Sequence, residues 1–578
     1  MSTIQIEANG KIIEAEAGEK LLYALRRAGF EVPTLCNIDG LCASGTCRIC
    51  VCEVEGQRAL VPACAFPVFP GMKVKTHSPR VIRARKTIIE LMLSDHHDDC
   101  LLCERCGKCE LQNLAQQYQV HKRAFFGEKN VFPKDESSLS IVRDPEKCIL
   151  CGKCIRVCEE IQGVGAINFI NRGSKTKVGA AFDMPLAESS CINCGQCVRI
   201  CPTGALTYKS HIQKVLDAIA DPNKTVCVQH APAVSVTLGE EFGFKPGDDV
   251  AGLMHAALRQ IGVDYVFDTS FSADLTIMEE GSELVQRLTK GGALPMFTSC
   301  SPGWIKYIEQ FHPDFLPNVS SCKSPMSMLS AITKTFFADK IGKTPKEIFS
   351  FAIMPCTAKK FEAARPELGR DGYQDTDAVL TTRELAQLIK LCGVDMTKIQ
   401  PEPADTPFAE RSTAGKMFGT SGGVMEAAIR SAVYLVTKQE LPDLNIVPCR
   451  GFEGVKEFQV TIPGTEITLG IAVVSGLDNA GKLIDAIRSG EKTGLHFIEV
   501  MTCPGGCVNG GGQPVGTKPE EVKARMVKLY QLDEVENLRL SHKNEEVKRL
   551  YDEFLGEPLG HKSHELLHTH YDLREVVK

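Results

Sequence analysis

Cysteine is the residue that most restricts what this chain can fold into: 26 occur in 578 residues, and most fall in tight Cys-x-x-Cys groups. A disulfide scaffold packs cysteine so densely only in a short secreted chain, so in a long one these groups point to metal-bound thiolates in a reducing compartment. Eighteen of them precede Cys227, and eight are spread thinly over everything from Cys227 onward. The chain therefore divides into a cluster-rich front and a globular rear, and its length asks for about three to five domains.

Composition narrows the class further. Apolar residues make up 43% of the chain and charged residues 24%, the balance of a packed globular protein. The net charge of -6 comes from interspersed acids and bases, so no basic stripe argues for nucleic acid or anionic lipid as a partner. No stretch approaches the ~20 apolar residues of a membrane helix. Thr3-Ile4-Gln5-Ile6-Glu7 alternates without an apolar signal region, and the Arg26-Arg27 doublet sits inside the amphipathic run Lys20 to Leu25. The expectation is a cytoplasmic protein without a membrane span.

Pattern along the chain predicts multidomain α+β and α/β architecture. Residues 1–78 read as strand, strand, helix, a cysteine loop from Cys36 to Cys52 and a return strand near Met72 to Thr76. Residues 79–126 read as helical, with an apolar stripe of Ile82, Ile88, Ile89, Leu91 and Met92 leading into a His/Cys cluster. Residues 138–209 hold an internal repeat, Cys148-x-x-Cys151-Gly-Lys-Cys154 and Cys191-x-x-Cys194-Gly-Gln-Cys197, about 43 residues apart. Residues 210–578 alternate strand-like runs (Val226 to Val228, Phe351 to Ile353, Ile471 to Val474, Phe497 to Met501) with helical ones (Asp248 to Gly262, Thr382 to Gly393, Gly423 to Thr437).

The front carries four sets of candidate iron ligands. Cys36, Cys47, Cys50 and Cys64, spaced C-x10-C-x2-C-x13-C, suit a rhombic 2Fe-2S core. This resembles the plant-type ferredoxin domain at the head of complex I large subunits and of iron-only hydrogenases. Cys42 and Cys52 in the same loop fit less well and are expected as small buried residues. His96, Cys100, Cys103 and Cys109 form H-x3-C-x2-C-x5-C, where a neutral imidazole in place of one thiolate raises the potential of a 4Fe-4S cluster. His97 as ligand, or a zinc site that includes Cys106, are the alternatives, and the resemblance favours His96 and iron. In the repeat, three thiolates at C-x2-C-x2-C converge on one cubane and the fourth cysteine serves the other. That pairs Cys148, Cys151 and Cys154 with Cys201, and Cys191, Cys194 and Cys197 with Cys158; a pair of zinc knuckles is the alternative.

Three segments of the rear carry the chemistry: Thr298-Ser-Cys300-Ser301-Pro-Gly-Trp304, Met354-Pro-Cys356-x-x-Lys359-x-x-Glu362, and Glu499-x-Met501-x-Cys503-x-x-Gly506-Cys507 with Gly510-Gly-Gly-Gln-Pro514 behind it. They resemble the three signature motifs of the iron-only hydrogenase catalytic domain, and with the front the resemblance runs from about residue 3 to Tyr571. It implies ferredoxin-like cluster domains before an α/β catalytic domain. It also implies an H-cluster: a 4Fe-4S cubane held by cysteines of all three motifs, Cys356, Cys503 and the bridging Cys507 among them. A di-iron unit with CO, CN and an amine-bearing azadithiolate completes it. By the same resemblance Lys359 donates to a cyanide, and Pro232, Ala233, Met354, Phe418 and Met501 line the cavity. Cys300, Glu280, Ser320, Glu283 and Arg287 form the proton path. Taken as isolated residues, the two methionines read as plain core and the two glutamates as exposed helix acids.

One position departs from the family. Two adjacent cysteines normally stand in the first motif, the first relaying protons and the second ligating the cubane, but here the pair is Cys300-Ser301. Either Ser301 ligates through oxygen, a harder donor, or Cys300 shifts to ligation and Ser301 takes over the proton. Cys227, Cys322, Cys392 and Cys449 match no ligand motif and are expected as small buried residues, while His564, His568 and His570 read as a docking tail rather than a metal site.

The resemblance thus implies a hydrogenase that interconverts dihydrogen with protons. Electrons would pass through a 2Fe-2S and three accessory 4Fe-4S clusters to ferredoxin or a flavin-containing NAD(P)-linked subunit, giving a possible hetero-oligomer. An electron-relay subunit like that of complex I, or an assembly factor that has lost the di-iron site, are the competing readings. A relay has no use for the Met354 to Glu362 motif, and an assembly factor is expected to lack Lys359 or the glutamates.

Overall fold

The alternation at the amino end places Ile6 and Ala8 on one face, and the computed structural model, which describes residues 2–465 and 467–576, turns that face inward. β1 (Thr3–Ala8) and β2 (Lys11–Glu16) form an antiparallel hairpin whose turn residues, Asn9 and Gly10, both have positive φ (52° and 85°). Helix α1 (Leu21–Arg27) buries Leu21, Leu22, Ala24 and Leu25 against the sheet. Strands β3 (Val51–Val54), β4 (Val61–Pro62) and β5 (Lys73–Lys75) complete it in the order β2-β1-β5-β3-β4. β3 and β4 are absent from the sequence reading because cysteines interrupt their short apolar pattern. Cys52 is buried on β3 as expected, whereas Cys42 is exposed.

Ser78 caps helix α2 (Pro79–Asp95), its hydroxyl accepting from Val81 N at 3.3 Å with Pro79 in the first turn. The inward stripe keeps Ile89, with Ile88 and Met92 packed half-buried beside it, but loses two expected members. Val81, Arg85 and Ile89 face in, while Ile82 and Leu91 are 46% and 52% exposed. The four-residue step 81-85-89 defines the face, and its middle member is a buried arginine that donates to Val51 O (2.9 Å) and Tyr118 Oη (3.0 Å). This ties α2 to β3 and to the end of α3 (Glu110–Gln117).

The repeat appears as two equivalent loops closed by the antiparallel pair β6 (Ile141–Arg143) and β7 (Leu206–Tyr208). Each loop enters a short helix, α4 (Lys153–Arg156) or α5 (Gln196–Ile200), through a left-handed glycine, Gly152 (φ 73°) or Gly195 (φ 70°). A side chain at such φ is strained, so glycine at these two points keeps the loop tight around its cysteines.

Behind α6 (Ile212–Ala220) the rear builds two four-stranded sheets. The first, ordered β9-β8-β11-β12, is wholly parallel and comprises β8 (Thr225–His230), β9 (Tyr265–Asp268), β11 (Ile348–Met354) and β12 (Ala378–Thr381). The second, ordered β10-β15-β14-β13, comprises β10 (Met296–Phe297), β13 (Val455–Thr461), β14 (Thr468–Ser475) and β15 (Phe497–Met501), with only β13 antiparallel. Their runs Phe351 to Met354, Ile471 to Val474 and Phe497 to Met501 are buried throughout, as strands covered on both faces must be. The covering helices include α7 (Ala251–Ile261), α8 (Thr269–Lys290), α9 (Pro302–Phe311), α10 (Pro325–Ile332), α11 (Ala358–Ala363), α12 (Thr382–Leu391), α13 (Gly423–Thr437), α14 (Leu477–Arg488), α15 (Pro519–Val535) and α16 (His561–Leu567). Among the described residues no helix is long and apolar enough to cross a membrane.

Candidate active site

In an open parallel sheet, ligands lie in the crevice beyond the carboxyl ends of the strands. The three motifs and the Pro232 segment each follow such an end. Ala231 to Ala233 leave β8, Cys300 and Ser301 follow β10, Pro355 and Cys356 leave β11, and Thr502 and Cys503 leave β15. All of them line one cavity between the two sheets. Cys507, Lys359, Met354, Met501 and Phe418 share its wall, together with two residues sequence reasoning missed: Met326, which lies outside every motif, and Thr502, an unspecified position within the third.

The donor set suits an iron-sulfur group. Burial pushes the thiols of Cys356 and Cys507 up to about 12 and that of Cys503 to about 11, so each is a protonated, buried thiol whose sulfur becomes a soft donor once iron replaces the proton. Gly506 has φ 95°, and a Cβ there would overlap the backbone of Thr420 and Ser421; one on Gly510 would overlap the Pro355 carbonyl. The glycine-rich stretch thus brings the backbone close around the cysteines. The Lys359 ammonium reaches the cavity while held from behind by Glu362 Oε2 (2.8 Å), donating to Ser324 Oγ (2.8 Å) and to the Cys300 carbonyl (3.3 Å). Glu362 also accepts from the hydroxyls of Ser324 and Ser327, so the Lys-x-x-Glu spacing is a positioning device on one face of α11.

From Cys300 a polar chain runs outward along α8. The reading of Glu280 and Glu283 as exposed acids is overturned: they are 0% and 7% exposed, because α8 is packed on nearly every side. Glu280 Oε1 accepts from Ser299 N at 3.3 Å, and burial, followed by the charge of Glu283, pushes its carboxyl up to about 8. Ser320 donates to Glu283 Oε2 at 2.8 Å, and Arg287 pairs with Glu283 Oε1 at 2.6 Å while donating to the carbonyls of Ala293, Pro317 and Val319. A side branch escaped the sequence reading: Ser321 meets His568 Nδ1 at 2.8 Å, and His568 Nε2 lies 3.1 Å from Glu279. His568 is the member of the histidine tail that docks; its ring stacks on the exposed His564, and His570 is exposed.

The front residues also gather. The thiols of Cys36, Cys47, Cys50 and Cys64 touch one another, contact with Cys36 driving Cys47 and Cys64 well above the ordinary thiol range. His96 is buried with Nδ1 unpartnered, whereas His97 spends Nε2 on the Asn130 carbonyl (3.1 Å) and Nδ1 on Glu146 (3.4 Å). Cys109 is buried, Cys100 and Cys103 are half-buried, and Cys106 is exposed. Cys148, Cys151, Cys154 and Cys201 wall one cavity, and Cys158, Cys191, Cys194 and Cys197 another. The second abuts the active-site loop directly. Gln196 Nε2 donates to Cys503 Sγ (3.0 Å) and to the Asn509 carbonyl (3.0 Å), and Thr357 donates to Asn193 O (2.7 Å). Of the unassigned cysteines, Cys227, Cys322 and Cys449 are buried, but Cys392, just past the end of α12, is exposed.

Family comparisons agree along the chain. Residues 224–511 match the iron only hydrogenase large subunit, C-terminal domain, and residues 519–574 the iron hydrogenase small subunit. In front, residues 1–79 match a 2Fe-2S iron-sulfur cluster binding domain, 85–124 the NADH-ubiquinone oxidoreductase-G iron-sulfur binding region, and 147–205 a 4Fe-4S dicluster domain. The chain is 45% identical over 587 residues to the NADP-reducing hydrogenase subunit HndD of Solidesulfovibrio fructosivorans, covering 100% of both. It is 41% identical over 579 residues to iron hydrogenase 1 of Clostridium pasteurianum, covering 99% of this chain and 100% of the relative. The apo structure of a single-residue variant of the FeFe-hydrogenase HydA1 from Chlamydomonas reinhardtii superposes with a TM-score of 0.57 at 44% identity, over 63% of this chain and 99% of that one. With its motifs gathered at the strand ends and relatives matching it end to end, the chain belongs to the iron-only hydrogenase family, with accessory iron-sulfur domains ahead of an H-cluster domain.

Proposed function

We propose that this chain interconverts dihydrogen with protons and electrons reversibly, in the cytoplasm, and exchanges the electrons with ferredoxin or a flavin-containing NAD(P)-linked partner subunit. The observation that carries the reading is the meeting of Cys356, Cys503, Cys507 and Lys359 in one cavity from which Cys300, Glu280, Ser320, Glu283 and Arg287 lead outward. The H-cluster, when bound, supplies the iron at which dihydrogen is made or split. Cys356, Cys503 and Cys507 would hold its cubane, Lys359 would present a hydrogen-bond donor to a cyanide, and Pro232, Ala233, Met354, Phe418 and Met501 would keep water from the di-iron unit.

The chain's own residues then move the proton. Glu280, neutral at pH 7, receives and releases it by rotation of its carboxyl, Ser320 passes it by turning its hydroxyl, and Glu283 hands it to the surface beside Arg287. Cys36, Cys47, Cys50 and Cys64 would hold a 2Fe-2S cluster, and His96/Cys100/Cys103/Cys109 and the two repeat sites three 4Fe-4S clusters, which would supply the electron path. The Gln196 contact with Cys503 supports the Cys191 site as the last step before the catalytic cubane. The NADP-reducing relative supports a nicotinamide-linked partner, and hence a hetero-oligomer.

The test is infrared spectroscopy of the anaerobically matured chain together with dihydrogen uptake. Carbonyl and cyanide stretching bands and uptake with a low-potential acceptor are expected. A fully matured chain without those bands would overturn the assignment and favour an electron-relay role.

A further inference from the structure

The family resemblance puts Ser301 at a ligand position, and its surroundings say what it does there. It is the N-cap residue of α9, with φ -99° and ψ 103°, yet its hydroxyl makes no cap bond to that helix. Serine at an N-cap ordinarily turns its oxygen onto the amides of the first turn, so forgoing that bond needs another partner. The oxygen lies 2.8 Å from Thr502 Oγ1 and accepts from Thr502 N at 3.3 Å. Thr502 directly precedes Cys503, and both line the cavity with Ser301. The hydroxyl therefore sits on the Cys503 side of the site.

Cys300 has no hydrogen bond to Thr502, and its strongest charged influence is Glu280. Its thiol senses the charges of Glu280, Lys359, Glu499 and Cys507, and it shares the cavity wall with Phe418 and Met501, at the head of the polar groups leading toward Glu283. A swap of roles would require Cys300 to abandon Glu280 and cross to Thr502, while Ser301 gave up both Thr502 contacts.

The geometry points to Ser301 Oγ as the fourth protein ligand of the catalytic cubane, with Cys300 remaining the proton relay; this rests on the H-cluster reading above. On ligation the serine O–H breaks and an Fe–O bond forms, the proton leaving to solvent as the thiol protons do at the three cysteines, with no change of oxidation state. Thr502 N–H and Oγ1–H stay on the resulting alkoxide, supplying two donors to a charged oxygen. An alkoxide is harder and less covalent than a thiolate toward iron, so this cubane is held more firmly in its oxidised form than an all-cysteine one.

The test uses the full chain carrying 57Fe clusters but not the di-iron unit, read by Mössbauer spectroscopy, redox titration and iron content, with difference spectra isolating one cluster among five. For Ser301→Cys we expect one iron site of the cubane to lose a high isomer shift, the cubane potential to rise and iron content to stay constant. For Cys300→Ala the spectrum and iron content should match the parent. A Ser301→Cys spectrum identical to the parent, or a Cys300→Ala chain with the cubane altered or lost, overturns the assignment. A Cys503→Ala control separates the two levels. If it binds as much iron as the parent, there is no catalytic cubane and the H-cluster reading falls too; if it loses iron while Ser301→Cys changes nothing, only the serine assignment falls.

Discussion

At the scale of single residues, burial decides chemistry. Glu280 is fully enclosed with no cation in hydrogen-bond contact, and it keeps its proton up to about pH 8. Replacing it by glutamine preserves shape and the acceptor for Ser299 N but removes the exchangeable acid. Glu280→Gln should therefore lower dihydrogen turnover by about 10²–10⁴-fold, the usual worth of a positioned proton carrier, while the infrared bands stay where they were. Loss of the bands together with activity would instead mean a role in holding the site. The residue's type and spacing were legible in the chain, but its protonation was not, because that depends on which elements enclose α8. The same limit misplaced Ile82 and Leu91: apolar residues at near-helical spacing look alike from sequence, and only the neighbours of α2 show that Arg85 faces in and they face out.

At the scale of elements, the front repeat and the rear meet through side-chain and backbone contacts of α5. Gln196 donates to the sulfur of Cys503, and a Cβ on Gly511 would overlap the Cys194 carbonyl. A hydrogen bond to a ligating sulfur withdraws electron density and raises a cluster's potential. Gln196→Leu should lower the potential of the catalytic cubane, read by redox titration of the loaded chain, with the other clusters unmoved; an unchanged potential would refute the contact's electronic role. Sequence found the long buried strands, since β8, β11 and β14 each contain a continuous apolar run and β15 is apolar but for the buried Glu499. It missed β10, whose two residues carry no period of their own, and it missed that the first motif extends from that strand. Gln196 reads as ordinary loop polarity until the Cys503 loop is in place beside it.

For the molecule as a whole, buried neutral histidines set the response to acid. Burial lowers His211 and His230 to about 3 and His542 to about 4, and it lowers His255, which lies 2.7 Å from His230 through their Nε2 atoms. His211, His230 and His542 stay neutral when folded but bind protons when unfolded below about pH 6.5, so the unfolded chain binds more protons there and stability falls as pH drops, by about 1.4 kcal/mol per pH unit for each. Glu280 and Glu499, raised by burial to about 8 and about 7, work the other way: their stabilisation is complete below about pH 4.3 and is lost as pH rises toward 7 and 8. The three histidines outweigh the two glutamates between about pH 4.3 and 6.5. Denaturant midpoints of the rear should therefore be lower at about pH 5.5 than at about pH 7, and His230→Gln should flatten that dependence; equal midpoints at both pH values would contradict it.

By itself the sequence determined the candidate donor sets. Cysteine spacing sets how many thiolates a short loop can bring to one cluster, and that is a property of the covalent chain, so the front sets, the three rear motifs and the family were legible before any fold was known. Tertiary structure decided what depends on enclosure and on which strand ends meet. It settled whether Glu280 holds a proton, which sheet delivers which motif, that Gln196 reaches Cys503, that Cys42 and Cys392 lie in the open, and that the Ser301 hydroxyl faces Thr502 instead of capping its own helix. These follow from packing between segments far apart in the chain, where burial and charge are set by neighbours that no local pattern encodes.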